Sequence, residues 1–292
     1  MPLLPDTRVL LTGAGGQLAG AIADRLGGAC ALTALPRAAL DVTSLQSVRA
    51  AIDEVRPEVV INCASYNDVD GAERDARTAL EVNGLALAML ADAAQRTGAR
   101  LLHFSTDFVF DPDTDPGPLD EAAPVRPRSV YAQSKLLGEI LARRTPRHHV
   151  VRVESLFGGA RPTSSLDRIA AALLAGGQVR AFADRTVSPS YVVDLAEATA
   201  ALLARDVPPG LYHCVNSGSA TWLEVIRTLA AGLGADPDAQ VEPVPFDASA
   251  FPARRPKYAA LSNAALAAHG VTMPTWQDAI RRYARSLTAK RA

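Results

Sequence analysis

The chain has 292 residues, with 48% hydrophobic and 21% charged side chains, 30 basic against 31 acidic. This composition excludes an intrinsically disordered chain, and the near-neutral balance excludes general binding to nucleic acid through a basic surface. The length accommodates one large or two modest domains and suffices to bury most of the apolar surface without a disulfide framework.

From the start of the chain, residues 1–6 show no basic leader. The first apolar run, Val9-Leu10-Leu11, is cut at once by glycines. No stretch approaches the ~18 apolar residues that a membrane span requires. The expectation is a cytoplasmic protein with no membrane or nucleic-acid partner. Short apolar runs at 8–12, 29–35, 58–62, 100–105 and 149–153 predict buried strands. Between them, helical periodicity covers 17–26, 44–55, 72–96 and 130–143, the alternation of a parallel sheet with helices on both faces. Thr43 or Ser44 caps the second of these helices and Pro57 ends it. Pro112, Pro116, Pro118, Pro124 and Pro127 mark 111–128 as a surface loop. Beyond Phe157 the alternation is less regular, with helices at 165–174, 193–204 and 222–233, a strand at 211–215, and a proline-rich, extended stretch at 237–256. Cys30, Cys63 and Cys214 are odd in number and far apart, so they read as small buried hydrophobes in a reducing compartment, with no metal-like spacing.

The first strand runs into Thr12-Gly13-Ala14-Gly15-Gly16-Gln17-Leu18-Ala19. Glycines at a strand-to-helix turn let the backbone approach a pyrophosphate, which the free amides and dipole of the helix start then hold. The spacing is Gly-x-x-Gly-x-x-Ala. In such a nucleotide fold the end of the second strand selects the cofactor, because an acid there accepts the ribose hydroxyls whereas an arginine attracts a 2′-phosphate. Here the strand ends at Leu35-Pro36-Arg37. Arg37 favours NADPH, with NADH as the alternative, and Asp41 and Val42 are placed to meet the adenine end.

Tyr131-Ala132-Gln133-Ser134-Lys135 opens a predicted helix. A spacing of four puts phenol and ammonium on one face, where the positive charge is expected to lower the tyrosine pKa and make Tyr131 a proton donor and acceptor near neutral pH. Lysine occurs only at 135, 257 and 290, so this pairing is informative. At the carboxyl end of the 100–105 strand, Ser105 or Thr106 could hydrogen-bond a substrate carbonyl, while His103 within the strand reads as a packed histidine.

Together these residues resemble the extended short-chain dehydrogenase/reductases, and most closely the dTDP-4-dehydrorhamnose reductase family of sugar-nucleotide ketoreductases. The resemblance runs through Gly13 to Leu18, Val60-Ile61-Asn62-Cys63-Ala64-Ser65-Tyr66, Val69-Asp70-Gly71-Ala72-Glu73, Val82-Asn83 and His103-Phe104-Ser105-Thr106-Asp107-Phe108-Val109-Phe110-Asp111. It continues through Tyr131, Ser134, Lys135, Gly138 and Glu139, Val192 to Ala196, and Arg254-Arg255-Pro256-Lys257-Tyr258.

The resemblance implies an α/β fold: a Rossmann-type doubly wound parallel sheet with a smaller C-terminal α+β substrate domain. The expected division is 1–156 plus about 186–215 for the dinucleotide, and about 157–185 plus 216–292 for the substrate. It further implies that Tyr131 protonates the carbonyl oxygen, Lys135 holds the nicotinamide ribose and Thr106 orients the substrate oxygen. Gly13, Gly15, Gly16, Gln17, Leu18, Arg37, Asp41, Val42, Cys63, Ala64, Ser65, Tyr66 and Asn83 would meet the cofactor. Ser105, Asp107, Phe108, Ser155 and Arg255 would meet a nucleotide-sugar substrate, Arg255 through its diphosphate. A homodimer is a further expectation.

The chain departs from the family pattern at Phe108, commonly tyrosine, at Ser155, commonly tryptophan, and at Ala132, commonly glycine. Hydride chemistry survives these changes, but the choice between dTDP-4-dehydrorhamnose and another 4-keto-6-deoxyhexose nucleotide is left open. Phe108 also argues against a dehydratase, which commonly places a carboxylate at that position. An epimerase that recycles its nicotinamide, or a non-catalytic regulatory subunit such as the one that attends methionine adenosyltransferase, would share the same fold.

Overall fold

The structure is a computed structural model, and it describes residues 5–110 and 117–289. Asp111, Pro112 and Pro116 of the predicted proline loop, and Lys290, lie outside the described residues. Five strands come first in the chain: β1 (Arg8–Thr12), β2 (Ala31–Leu35), β3 (Val59–Asn62), β4 (Arg100–Thr106) and β5 (His148–Val153). With Gly210–His213 they form one six-stranded sheet, ordered Gly210–His213, β5, β4, β3, β1, β2, and every pairing is parallel. This is the doubly wound sheet expected from the sequence. The chain reverses direction of travel at β1, which pairs with β2 on one side and β3 on the other, leaving a crevice beyond the carboxyl ends of the strands.

Each central strand is apolar on both faces because helices cover both. Val9 and Leu11 of β1 pack with Ile22 of helix α1 (Gln17–Leu26) and with Leu195 of the helix Val192–Ala204. Leu10, pointing the other way, packs with Ile52, Leu87 and Leu90 on the opposite side. The period of two along the strand thus feeds two separate cores. A third apolar cluster gathers Phe157, Leu166, Trp222, Ile226, Trp276, Ile280 and Tyr283 away from the sheet. Val187 and Tyr191 pack into this smaller cluster, whereas Leu266, Val271 and Met273 return to the large one. No helix among the described residues is long and apolar enough to cross a membrane.

Two expectations of local structure are corrected. The predicted helix 72–96 is four pieces: Val69–Ala72, Ala76–Leu80, a π-helical turn Glu81–Leu85 and Ala86–Thr97. Asp68 and Asp75 each accept a hydrogen bond from a backbone N–H three residues on, at Gly71 (2.8 Å) and Thr78 (3.1 Å), so each restarts the helix as a cap. The stretch 237–256 is not simply extended. Pro237 opens a helical turn, Pro237–Gln240, which Asp236 caps. Val241–Val244 then pairs in parallel with Val179–Phe182, a strand the sequence did not announce.

Candidate active site

The glycine turn between β1 and α1 is shaped for close approach of a ligand's phosphates. Gly13 has φ +68°, and a Cβ there would lie 2.7 Å from the Ala64 nitrogen, so only glycine fits. Gly16 is the N-cap of α1 and no side chain satisfies the first amides, which leaves the backbone N–H groups of Gln17 and Leu18 at the positive end of the helix dipole. Two cavities open beside the turn. The larger, about 540 Å³, holds Gly16, Gln17, Leu18, Cys63, Ala64, Ser65, Ser105, Thr106, Asp107, Phe108, Tyr131, Lys135, Ser155 and Arg255. The smaller, about 260 Å³, is lined by Gly13, Gly15, Arg37, Asp41, Val42 and Tyr66. The two meet at Gly16, Cys63, Ala64, Ser65 and Asn67.

The helix Val130–Ala142 starts where Ser129 accepts the Ala132 N–H at 3.2 Å. Its residues 131, 135 and 139 recur at a spacing of four and follow β4 downward. Beside Tyr131 lies the Thr106 hydroxyl. Lys135 Nζ donates to the Phe104 carbonyl at 2.6 Å. Glu139 accepts the Ser105 hydroxyl at 2.6 Å and both Nε and Nη2 of Arg152 at 2.8 Å. Phe108 meets the Tyr131 ring edge-on, with centroids 5.6 Å apart and planes at 89°, a geometry that adds about 0.5–1.5 kcal/mol and holds the ring.

The electrostatics correct one expectation. Burial first, and the Asp107 carboxylate second, push the Tyr131 phenol above its ordinary pKa, while the hydrogen bond with Thr106 pulls it down. Lys135 spends its ammonium on the Phe104 carbonyl, and burial lowers its own pKa to about 8 against the pull of Glu139 and Cys63. Tyr131 is therefore held as a neutral acid, the form able to give a proton to a developing alkoxide. His103 is fully buried between Asn62 (3.1 Å) and the Lys135 charge and stays neutral, as a packed histidine should. Burial raises the Cys63 and Cys214 thiols to about 12.

Four other expected contacts are refined. Asn83 lines neither cavity. Fully buried in the π-helical turn, it accepts the Ser65 hydroxyl (2.9 Å) and the Tyr66 N–H (2.8 Å) and donates to Ser134 (3.0 Å), so it shapes the cleft wall from behind. Ser105 gives its hydroxyl to Glu139 and Thr106 gives its own to Asp107 Oδ1 at 2.9 Å, and of the two strand-end hydroxyls it is Thr106 that lies beside Tyr131. Gln17 sends its side chain to Gly158 O (2.6 Å) and Asp167 (2.8 Å), so only its backbone can meet a cofactor. Arg255 grips Asp70 through two nitrogens, at 2.9 and 2.6 Å, and holds the Asp70 carboxyl below its ordinary range. A substrate diphosphate must share or displace that carboxylate.

Exposed Arg37 borders the smaller cavity, and its charge helps to depress Asp41, whose carboxylate is held mainly by Thr43. A charge-assisted hydrogen bond contributes about 1.5–3 kcal/mol. Arg37→Asp should accordingly move the ratio of kcat/KM for NADPH over NADH down by about 10- to 100-fold. An unchanged ratio removes Arg37 from cofactor selection. The sequence reading missed three groups: Arg161, whose Nη1 reaches Ala14 O at 2.9 Å on the glycine turn, Arg185, which lines the larger cavity, and buried Glu154, which the charges of Asp107 and Arg185 reach. They arrive from loops of the smaller core and the end of β5, with no local pattern to announce them.

The glycine cradle, the uncapped helix start and Arg37 together suit a nicotinamide dinucleotide. Residues 7–289 match the family described as RmlD substrate binding domain. A dTDP-4-dehydrorhamnose reductase of Streptomyces griseus is 38% identical over 94% of this chain and 92% of its own length. A probable dTDP-4,6-dihydroxy-2-methyloxan-3-one 4-ketoreductase of Streptomyces antibioticus is 36% identical over 94% and 93%. The crystal structure of dTDP-4-dehydrorhamnose reductase from Bacillus anthracis in complex with NADP superposes with a TM-score of 0.89 at 29% identity, covering 96% of this chain and 99% of that one. The chain belongs to the RmlD substrate binding domain family, that of dTDP-4-dehydrorhamnose reductase.

Proposed function

We propose that this protein is an NADPH-dependent oxidoreductase that reduces the 4-keto group of a dTDP-activated deoxysugar. The observation that carries the reading is the convergence of Thr106, Tyr131 and Lys135 in a cavity that joins the glycine turn. The relatives, which act as ketoreductases on dTDP-sugars by name, support it.

NADPH supplies the hydride to the carbonyl carbon. The protein's part is to hold and polarise the ketone. Thr106 and Tyr131 offer hydroxyls to the carbonyl oxygen from the end of β4 and the start of the helix. Tyr131, kept neutral by its burial, gives its proton as negative charge develops on that oxygen. Lys135, fixed by the Phe104 carbonyl on the same helical face as Tyr131, holds the nicotinamide ribose and supplies positive charge to the site as the phenol loses its proton. Backbone amides of α1 neutralise the cofactor pyrophosphate. Ser155, at φ +46° on the cavity wall, leaves open the space that a larger side chain would fill.

The proposed division of labour assigns 1–156 with about 186–215 to the cofactor and about 157–185 with 216–292 to the substrate. The separate smaller core around Trp222 and Tyr283 supports its main lines, while Val187 and Tyr191 pack with that core and Leu266, Val271 and Met273 with the large one. A homodimer and a cytoplasmic location complete the proposal, and sedimentation and cell fractionation test them. The activity is tested by following NADPH oxidation across a panel of nucleotide 4-ketosugars. Oxidation with one or more dTDP-linked members is expected. Cofactor binding without oxidation of any member, in a protein indifferent to Tyr131→Phe, overturns the reading in favour of a regulatory subunit.

A further inference from the structure

Arg255 lines the larger cavity, and its guanidinium is already filled by an anion of the protein itself. The arginine follows the helical turn Ala248–Ala250, whereas Asp70 lies in the short helix Val69–Ala72 after β3, 185 residues away in the chain. Val69 and Arg255 both line the cavity, so the pair joins two of its walls. Nη1 donates to Asp70 Oδ1 at 2.9 Å and to the Ala253 carbonyl at 3.0 Å, and Nη2 donates to Asp70 Oδ2 at 2.6 Å. Asp70 Oδ1 also accepts the Ala253 N–H at 3.1 Å. The guanidinium lies over Phe251, with Cζ 4.1 Å from the ring centroid.

This grip is the one by which arginine takes a phosphate: two parallel N–H bonds from the end of a planar fork to two oxygens of one anion. Both hydrogens of Nη1 and one of Nη2 are spent, so a diphosphate that reaches Arg255 finds the end of the fork occupied and a like charge beside it. Asp70 is the partner able to yield. Its side chain is 30% exposed against 15% for Arg255, so the carboxylate can turn into water without becoming a buried, unpaired charge. Phe251 and the Ala253 carbonyl keep the guanidinium in place as it does so. Among the described residues, the charged groups that line the cavity are Lys135, Arg168, Arg185 and Arg255 against Asp107 alone, a balance that favours an entering anion of more than one charge.

We infer that Asp70 is a placeholder for the substrate diphosphate: it holds Arg255 in the binding geometry until a nucleotide arrives, then gives the guanidinium up to it. This role rests on the reading of the protein as a dTDP-sugar reductase in which Arg255 meets the diphosphate. Asp70 is a positioning residue, and its competition for Arg255 lowers the affinity for substrate and product alike, because only the fraction of protein with the fork released can bind. The product, which carries the same diphosphate, leaves the more readily for it.

The test uses the whole protein saturated with NADPH and takes dTDP as the probe, with binding followed by calorimetry. Asp70→Asn keeps the shape of the side chain and removes its charge, and dTDP should then bind about 3- to 10-fold more tightly, the scale of a charged hydrogen-bonded pair that is partly exposed. The KM for the 4-ketosugar nucleotide should fall with it while the Kd of NADPH stays the same, and Asp70→Glu, which keeps the charge, should bring the affinity for dTDP back toward that of the wild type. In protein that already carries Arg255→Gln, Asp70→Asn should change dTDP binding by less than about twofold, because the competition runs through one guanidinium. Wild-type protein gives a measurement that needs no variant to fold: the Asp70 carboxyl, which Arg255 holds below its ordinary range, should titrate nearer to an ordinary aspartate in 13C NMR once dTDP is bound. Weaker or unchanged dTDP binding in Asp70→Asn overturns the inference. So does a full gain that persists with Arg255→Gln, an Asp70 titration that dTDP does not move, or a failure of dTDP to bind at all. A protein whose dTDP binding responds as expected but which reduces no 4-ketosugar nucleotide overturns the reductase reading alone.

Discussion

Tyr131→Phe should lower kcat by the ~10² to 10⁴ that a positioned general acid supplies, while the affinity for NADPH stays the same. The substitution removes one hydroxyl and little else. The ring is buried against Ala72, Ala79 and the edge of Phe108, and phenylalanine keeps that packing. Thr106 loses the phenol as a partner but retains Asp107. Neither neighbouring serine replaces it, because Ser105 is bound to Glu139 and Ser134 bonds with the Tyr131 carbonyl and Asn83. Stopped-flow hydride transfer and fluorescence titration with NADPH separate the two effects. A loss of less than about tenfold in the chemical step would take the acid role away from Tyr131.

Arg152→Met should destabilise the fold by about 3–5 kcal/mol without touching the cavity. Arg152 and Glu139 are 2% and 0% exposed, and two parallel bonds of 2.8 Å join them. Removing the guanidinium leaves a carboxylate sealed between β4, β5 and the helix Val130–Ala142, with the Ser105 hydroxyl, the charge of Lys135 and a half-exposed Arg143 at 3.8 Å as partial compensation. The asymmetry is the point: a buried pair is costly to break but not costly to replace whole. Combining Arg152→Met with Glu139→Met should therefore lose less than the single change. Urea unfolding with an unaltered slope measures both. A single-variant loss under about 1 kcal/mol would mean that water reaches the pair in solution.

The sheet was legible because its central strands are buried on both faces and carry short apolar runs; Val59–Asn62 and Arg100–Thr106 are buried throughout. The catalytic pair was legible because it lies on one helix at a spacing of four. What escaped was non-local. Val179–Phe182 is a strand only because residues about 60 positions later pair with it, and its exposed Arg180 gives it no apolar run. Asn83 carries a family signature, yet nothing in its neighbourhood says that its amide supports Ser65 and Tyr66 from behind the cleft. The lowered Tyr131 pKa expected from Lys135 failed for the same kind of reason. Helical spacing puts the two on one face, but the phenol's pKa is set by desolvation and the Asp107 carboxylate, which belong to tertiary structure, while the ammonium is turned to the Phe104 carbonyl. Gln17 and Ser105 were placed correctly at the cleft, whereas the partners that claim their side chains, Asp167 and Glu139, lie 150 and 34 residues away.

The central claim, consumption of one NADPH to reduce one sugar ketone, is met most directly by isotope transfer. The protein is supplied with NADPH deuterated at the transferable position and a dTDP-4-ketosugar, and the products are analysed by mass and NMR. One deuterium on the sugar carbon that bore the ketone, with an equal amount of NADP+ formed, is the expected result. Sugar that returns with altered stereochemistry while the nicotinamide stays reduced and bound would contradict it and identify an epimerase.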